Sequence, residues 1–183
     1  MITIQQEPTF FFSSSKEKIA ATLYKPSFLG SQKLAAVVLC QGLSGEQKFV
    51  LPEIAKRFAE NGFIALTFDY RGFGESEGKK GLIDPMARVQ DAQDAASFLR
   101  AQPHVDIRRV GIYGHSFGGA IAQKTAITDP TLAACVSTSG FCSGKKLLRG
   151  LRTTSEWIAF KEILEEDRIE ITLSGKSRLV DMS

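Results

Sequence analysis

The pentapeptide Gly114-His115-Ser116-Phe117-Gly118 constrains this chain more than any other stretch. It sets a serine between two glycines where an apolar run gives way to a helix-compatible one. Residues 110–113 (Val-Gly-Ile-Tyr) read as a strand and residues 118–128 as a helix, so Ser116 falls on the turn between them. A turn this tight brings backbone segments closer than a Cβ allows and strains its central residue, which is why glycine is required two positions before and two after. The pattern is that of a nucleophile elbow. A bare G-x-S-x-G arises by chance in roughly one chain in twenty of this length, so its weight depends on the surrounding segments.

Those segments alternate in type. Residues 9–12, 19–24 and 34–40 read as strands, the third so uniformly apolar that it suits a strand covered on both faces. Residues 50–60 form a helix with Ile54, Ala55, Phe58 and Ala59 on one side, Pro52 in its first turn and Asn61-Gly62 as its stop. A strand over 63–68, a helix over 84–100 opened by Asp84-Pro85, the strand and helix around Ser116, and a strand over 133–139 complete the series. Strands alternating with helices predict an α/β fold, a mainly parallel twisted sheet with helices on both faces. We divide the chain into a core over 1–140 and a second region over 141–183. Residues 145–151 of that region are basic and leucine-bearing, and 154–168 are helical with Trp157, Phe160, Ile163 and Leu164 on one side. The same stripe suits the start of a helical cap and an ordinary amphipathic helix covering the core equally well.

Composition narrows the classes of function. A 183-residue chain that is 43% apolar can bury a core of its own. A net charge of +3 with only the separated pairs Lys79-Lys80, Arg108-Arg109 and Lys145-Lys146 gives no nucleic-acid footprint. No signal-peptide pattern and no membrane-length apolar run is visible, so a cytoplasmic protein without membrane contact is expected. Cys40, Cys135 and Cys142 lack metal-ligand or C-x-x-C spacing. Cys40 and Cys135 read as buried strand thiols, and neither a metal nor a cofactor is expected.

In an open parallel sheet the loops beyond the carboxyl ends of the strands share one rim, where ligands sit. The loop Gln41-Gly42-Leu43-Ser44-Gly45 follows the third strand, and its glycines let a backbone N–H turn toward that rim. There we place an oxyanion hole made of the Leu43 and Phe117 N–H groups, with Gly42 allowing the approach. The loop Asp69-Tyr70-Arg71-Gly72-Phe73-Gly74-Glu75-Ser76-Glu77-Gly78 follows the fourth strand, where Asp69 and Arg71 are expected to lock one another and support the site.

Taken together, the loop at 41–43, the stretch 69–76 and the elbow at 114–118 resemble the α/β-hydrolase superfamily. Within it the chain is similar to the bacterial branch related to dienelactone hydrolases and X-prolyl dipeptidyl peptidases, over residues 19 to about 140. The resemblance implies a serine hydrolase acting on carboxylic ester or related acyl bonds of a small molecule, with Ser116 as the nucleophile. Dienelactone hydrolases proper would carry cysteine at 116 and haloalkane dehalogenases aspartate. Relatives often have histidine where Gln41 stands, a change of little consequence if the donor is a backbone N–H.

The resemblance also implies an acid and then a histidine after the serine, yet the two histidines, His104 and His115, both precede Ser116. His104 precedes a strand whose four residues 110–113 alone rise about 13 Å, and His115 should point away from the serine hydroxyl. Asp129 falls at the wrong end of a helix, and Asp167 and Asp181 have no histidine to orient. We therefore expect no catalytic histidine or acid in this chain, an α/β-hydrolase fold truncated before its last strands and final helix, and an inactive 183-residue product. The alternatives are a non-catalytic interaction module and one half of a split protein, with a partner chain or a second copy at the exposed sheet edge. Acyl transfer to an acceptor other than water is a further reading.

Overall fold

Nine residue pairs of antiparallel ladder join β1 (Ile4–Phe12) to β2 (Lys18–Pro26) at one side of a six-stranded sheet. The computed structural model of the protein describes residues 3–27, 30, 32–43 and 46–177. Asp181, Ser44 and Gly45 lie outside the described residues. The remaining strands are β3 (Leu34–Cys40), β4 (Ile64–Phe68), β5 (Val105–His115) and β6 (Ala134–Thr138), and the spatial order is β1-β2-β4-β3-β5-β6. β2 meets β4 antiparallel, whereas β4, β3, β5 and β6 run parallel. The expected mainly parallel α/β sheet is present.

Helix α1 (Leu51–Glu60) packs Leu51, Ala55 and Ala59 against Val37, Leu39 and Ala65 on one face of the sheet. On the opposite face, α2 (Pro85–Arg100) and α3 (Phe117–Thr128) bury Ala92, Ala95, Ala96, Leu99, Ile121 and Ala122 against Ala36, Val38, Cys40, Leu66 and Ile112. β3 thus alternates between two apolar layers, which explains its unbroken apolar sequence. Each large side chain so removed from water contributes about 1.5–3 kcal/mol. Asp84 starts α2 by accepting hydrogen bonds from Met86 N (2.8 Å) and Ala87 N (3.1 Å), satisfying two of the helix's unpaired donors.

Some elements outrun their sequence signals, β1 by starting at Ile4 and β5 at both ends. β5 extends to both sides of 110–113 because Val105 pairs with Leu34 and Gly114 with Cys40, while the polar residues between Val105 and Val110 leave the ladder in an irregularity. There the Asp106 carboxylate accepts from Arg108 N (3.0 Å) and Arg109 Nε (2.9 Å). At the far edge, β6 exposes Ala134, Cys135 and Val136. Cys40 is buried as expected, and its thiol is pushed up to about 12 by burial. Cys135 is exposed, contrary to expectation, because β6 has a partner strand on one side only.

The chain divides into two units, Met1–Phe141 and Cys142–Ser183. The second contains α4 (Gly144–Gly150) and α5 (Thr154–Ser174). α5 opens with a capping box between Thr153 and Glu156, runs to Ser174, six residues beyond the expected stop at 168, and closes on Gly175 at φ 71°. Trp157 and Phe160 are half-buried with ring centroids 5.8 Å apart, whereas Ile163 and Leu164 are exposed.

Candidate active site

Ser116 occupies φ 56°, ψ −123° between the end of β5 and the first turn of α3. A residue other than glycine in this region costs on the order of 1–3 kcal/mol and persists only where its surroundings enforce it. The enforcement is visible on both sides. A Cβ at Gly118 would run into the carbonyl oxygens of Cys40 and Gln41, and one at Gly114 into the carbonyl of Gly118. The two glycines therefore let α3 start directly against the ends of β3 and β5. Ser116 N–H donates to Thr138 O at 2.9 Å, and Gly119 N–H to Ser116 O at 2.9 Å, so the turn is also fastened to β6 and to its own helix. The serine side is exposed.

The loop after β3 lies against this turn. A Cβ built on Gly42 comes within 3.9 Å of both His115 O and Ser116 Cβ. Gln41, buried at the end of β3, folds the loop on itself: its Oε1 accepts from Gly42 N (2.8 Å) and its Nε2 donates to Glu46 O (3.0 Å). Since the Gly42 N–H is engaged there, Leu43 carries the next N–H along the loop. Phe117 begins α3, and the first N–H of a helix has no partner within it. The sheet thus brings Gly42, Gly114, Ser116, Phe117 and Gly118 together at the crevice between β3 and β5. At this point the chain order reverses across the sheet, and open α/β sheets hold ligands there.

Asp69 and Arg71 do not lock one another. The Asp69 carboxylate accepts from Gln47 N (2.8 Å) and Glu75 N (3.0 Å), tying the loop before α1 to the loop after β4. Arg71 turns instead to Asp91 on α2, donating from Nε (2.8 Å) and Nη2 (2.5 Å) to Oδ1 and from its backbone N (3.0 Å) to Oδ2. Burial raises the Asp91 carboxyl above its usual value, against the lowering effect of those Arg71 hydrogen bonds. The geometry favours Asp91 because its carboxylate can accept from both the guanidinium and the backbone of the same residue.

Sequence reasoning also missed Arg88. This residue is 2% exposed, and its guanidinium carbon lies 4.7 Å from the Tyr70 ring centroid, 4.6 Å from Phe73 and 5.3 Å from Phe117. Its Nη1 donates to Gly42 O at 3.2 Å, while its buried Nε has no hydrogen-bond partner among the described residues. Burial pulls the guanidinium below its usual value. A signal was present, since Arg88 and Asp91 stand with Ala92, Ala95 and Leu99 on one helical stripe, and charges on an apolar stripe are the anomaly to follow.

Neither histidine reaches the serine. His104 sits beside the start of β3, where its carbonyl accepts from Leu34 N at 2.8 Å. Ser116 lies beyond the other end of that strand, about 20 Å away at some 3.3 Å per residue. The His115 ring lies 3.3 Å from Thr138 Oγ1 on the β6 side. Asp129, at the far end of α3, pairs with Arg100 at 3.3 Å. Among the described residues no hydrogen bond reaches the Ser116 hydroxyl, and no group of three or more metal-ligating side chains occurs. No helix among them is long and apolar enough to cross a membrane.

A parallel sheet with helices on both faces, and a serine held at positive φ on a strand-to-helix turn beside a folded glycine loop, define the α/β-hydrolase class. The chain belongs to the serine aminopeptidase S33 family, whose model matches residues 31–169. It is 33% identical over 167 residues to an uncharacterized 31.7 kDa protein in the traX-finO intergenic region of Escherichia coli, covering 91% of this chain and 58% of that protein. It is 37% identical over 134 residues to the quorum-quenching protein AidA of Acinetobacter baumannii, covering 73% and 43%. Among solved structures, the hypothetical protein PA2218 from Pseudomonas aeruginosa superposes with a TM-score of 0.81 at 25% identity, covering 94% of this chain and 55% of that one. The chain spans about half the length of the curated relatives it matches.

Proposed function

We propose that Ser116 is the nucleophile of a hydrolase acting on carboxylic ester or related acyl bonds of a small molecule. The N–H groups of Leu43 and Phe117 would receive the oxyanion, and Gly42, Gly114, Gly118, Asp69 and Arg71 would support the elbow and its loops. The observation that carries the reading is Ser116 at φ 56° on a turn closed against β3, next to a loop whose Gly42 N–H is already engaged. Attack by Ser116 Oγ on the acyl carbonyl forms the C–O bond of a tetrahedral intermediate. Its collapse expels the alcohol or thiol leaving group, and water then releases the acid from the acyl-enzyme.

The proton on Oγ needs an acceptor within about 3 Å, a place neither His104 nor His115 takes. We infer that the acceptor comes from outside these 183 residues, in the remainder of a longer chain or in a second polypeptide, and that the 183 residues alone turn over slowly or not at all. Hydrolysis of p-nitrophenyl butyrate with and without added imidazole tests this. Imidazole-dependent turnover that vanishes in Ser116→Ala is expected. Equal rates for Ser116→Ala and the parent chain at every imidazole concentration would refute the assignment.

The exposed β6 edge, with Val136 at 49% exposure, favours a second reading in which a partner strand or second copy docks there. A mass in solution that rises with concentration supports docking of a second copy.

A further inference from the structure

We propose that Arg88 is a positioning residue that aims and polarises the Leu43 N–H, and so sets the oxyanion hole from beneath. The inference rests on the hydrolase reading above and extends it to a residue outside the rim loops. Its basis is covalent: the carbonyl of Gly42 and the N–H of Leu43 belong to one planar trans peptide, so whatever fixes the direction of one fixes the opposite direction of the other. Arg88 Nη1 donates to Gly42 O at 3.2 Å from within the core. That carbonyl is therefore held toward α2, and the Leu43 N–H is held the other way.

The bond is also charge-assisted. A cation at a carbonyl oxygen draws electron density through the amide and makes the N–H a stronger donor, and low-dielectric surroundings strengthen the effect. Arg88 is held for this work by its neighbours: the Tyr70, Phe73 and Phe117 rings lie within 5.3 Å of its guanidinium carbon. Phe117 carries the second proposed donor on its own backbone. One buried side chain therefore reaches both the Gly42 carbonyl, in the peptide that carries the Leu43 N–H, and the ring of Phe117, while its Nε, without a hydrogen-bond partner among the described residues, leaves its hydrogen bonding incomplete in the protein interior. Incomplete pairing is costly for a purely structural cation, since apolar replacements of buried ions are often neutral or stabilising.

The test compares the parent chain with Arg88→Met, which keeps apolar volume without charge, and Arg88→Lys, which keeps the charge. Three readouts are taken: the ¹⁵N position of the Leu43 amide, amide hydrogen exchange along the chain, and imidazole-assisted phosphonylation of Ser116. In Arg88→Met the Leu43 nitrogen should move upfield, exchange at 41–43 should accelerate with β4 and α3 unchanged, and phosphonylation should slow by about tenfold or more. Arg88→Lys should recover part of each change. An unmoved Leu43 resonance with parent-like exchange at 41–43 overturns the proposal, as does acceleration spread evenly over the sheet. Should the parent chain resist phosphonylation even with imidazole, the hydrolase reading is what fails, and the Leu43 resonance and local exchange still decide whether Arg88 holds that peptide. If Arg88→Met does not fold, the same three readouts on Arg88→Leu, which likewise lacks charge and donor, decide, with a parent-like Leu43 resonance and exchange counting as refutation.

Discussion

β3 and β6 flank the same strand, pair with it in the same parallel sense and end at the same rim, yet five of the seven β3 residues are buried and none of the five in β6 is. The elbow between them is consequently held in two different ways. Toward β3 it is held by close approach, with Gly118 against the Cys40 and Gln41 carbonyls and a core cation under the loop. Toward β6 it is held by polar contacts: Ser116 N–H to Thr138 O, the Tyr113 hydroxyl 2.9 Å from Thr138 Oγ1, and the His115 ring beyond. The lesson is that the proposed oxyanion side of this site is built into the core, while the opposite flank is the exposed edge strand of the described sheet.

Substitutions can break that contrast. The largest effect is expected for Gly118→Val, where the added side chain has no room against two carbonyls. A loss of about 3 kcal/mol or more is expected in urea unfolding, and stability equal to the parent would mean that the elbow does not press on β3. Next come paired truncations of the two flanking strands. Leu39→Ala on β3 removes a side chain with no exposure and should cost about 2–5 kcal/mol. Val136→Ala on β6, half exposed, should cost about 0.5 kcal/mol or less. Equal losses at both positions would abolish the asymmetry.

A modest effect is expected at a site remote from both flanks. Glu17, in the β1–β2 turn, is pulled down to about 2 by hydrogen bonds from Ser13 (2.5 Å) and Ser15 (2.6 Å) to its Oε2. A carboxylate whose folded pKa lies below its unfolded value near 4.5 stabilises the fold fully above that value, and the contribution disappears as pH falls toward 2. Glu17→Gln should therefore lower the urea midpoint at pH 7 by an amount equivalent to about 1 kcal/mol, and the gap from the parent should close on acidification. A gap independent of pH would assign the effect to packing.

Much of this was legible in the sequence because it followed from period and backbone sterics. The alternation of strands and helices, the two-sided burial of β3 and the glycine positions of the elbow each have a local cause. What escaped depended on choices between distant partners. Asp69 and Arg71 are two residues apart and of opposite charge, but the fold offers Arg71 a carboxylate on α2 and Asp69 a set of backbone donors, and sequence proximity does not rank those options. Cys135 read as buried because its strand is apolar, yet burial depends on whether a neighbour lies beyond it. Arg88 and Asp91 were visible as charges on an apolar stripe, and only the tertiary fold showed that they meet the Gly42 carbonyl and the Arg71 side chain.

The central claim is that Ser116 is a nucleophile held ready on a built elbow and lacking only a proton acceptor. It is tested most directly by treating the folded 183-residue chain with a fluorophosphonate, with and without imidazole, and locating the adduct by intact mass and peptide map. The account predicts one phosphonate per chain, on Ser116, forming slowly alone and faster as imidazole is added, and absent from Ser116→Ala. A folded chain left unmodified at Ser116 under every condition would contradict it.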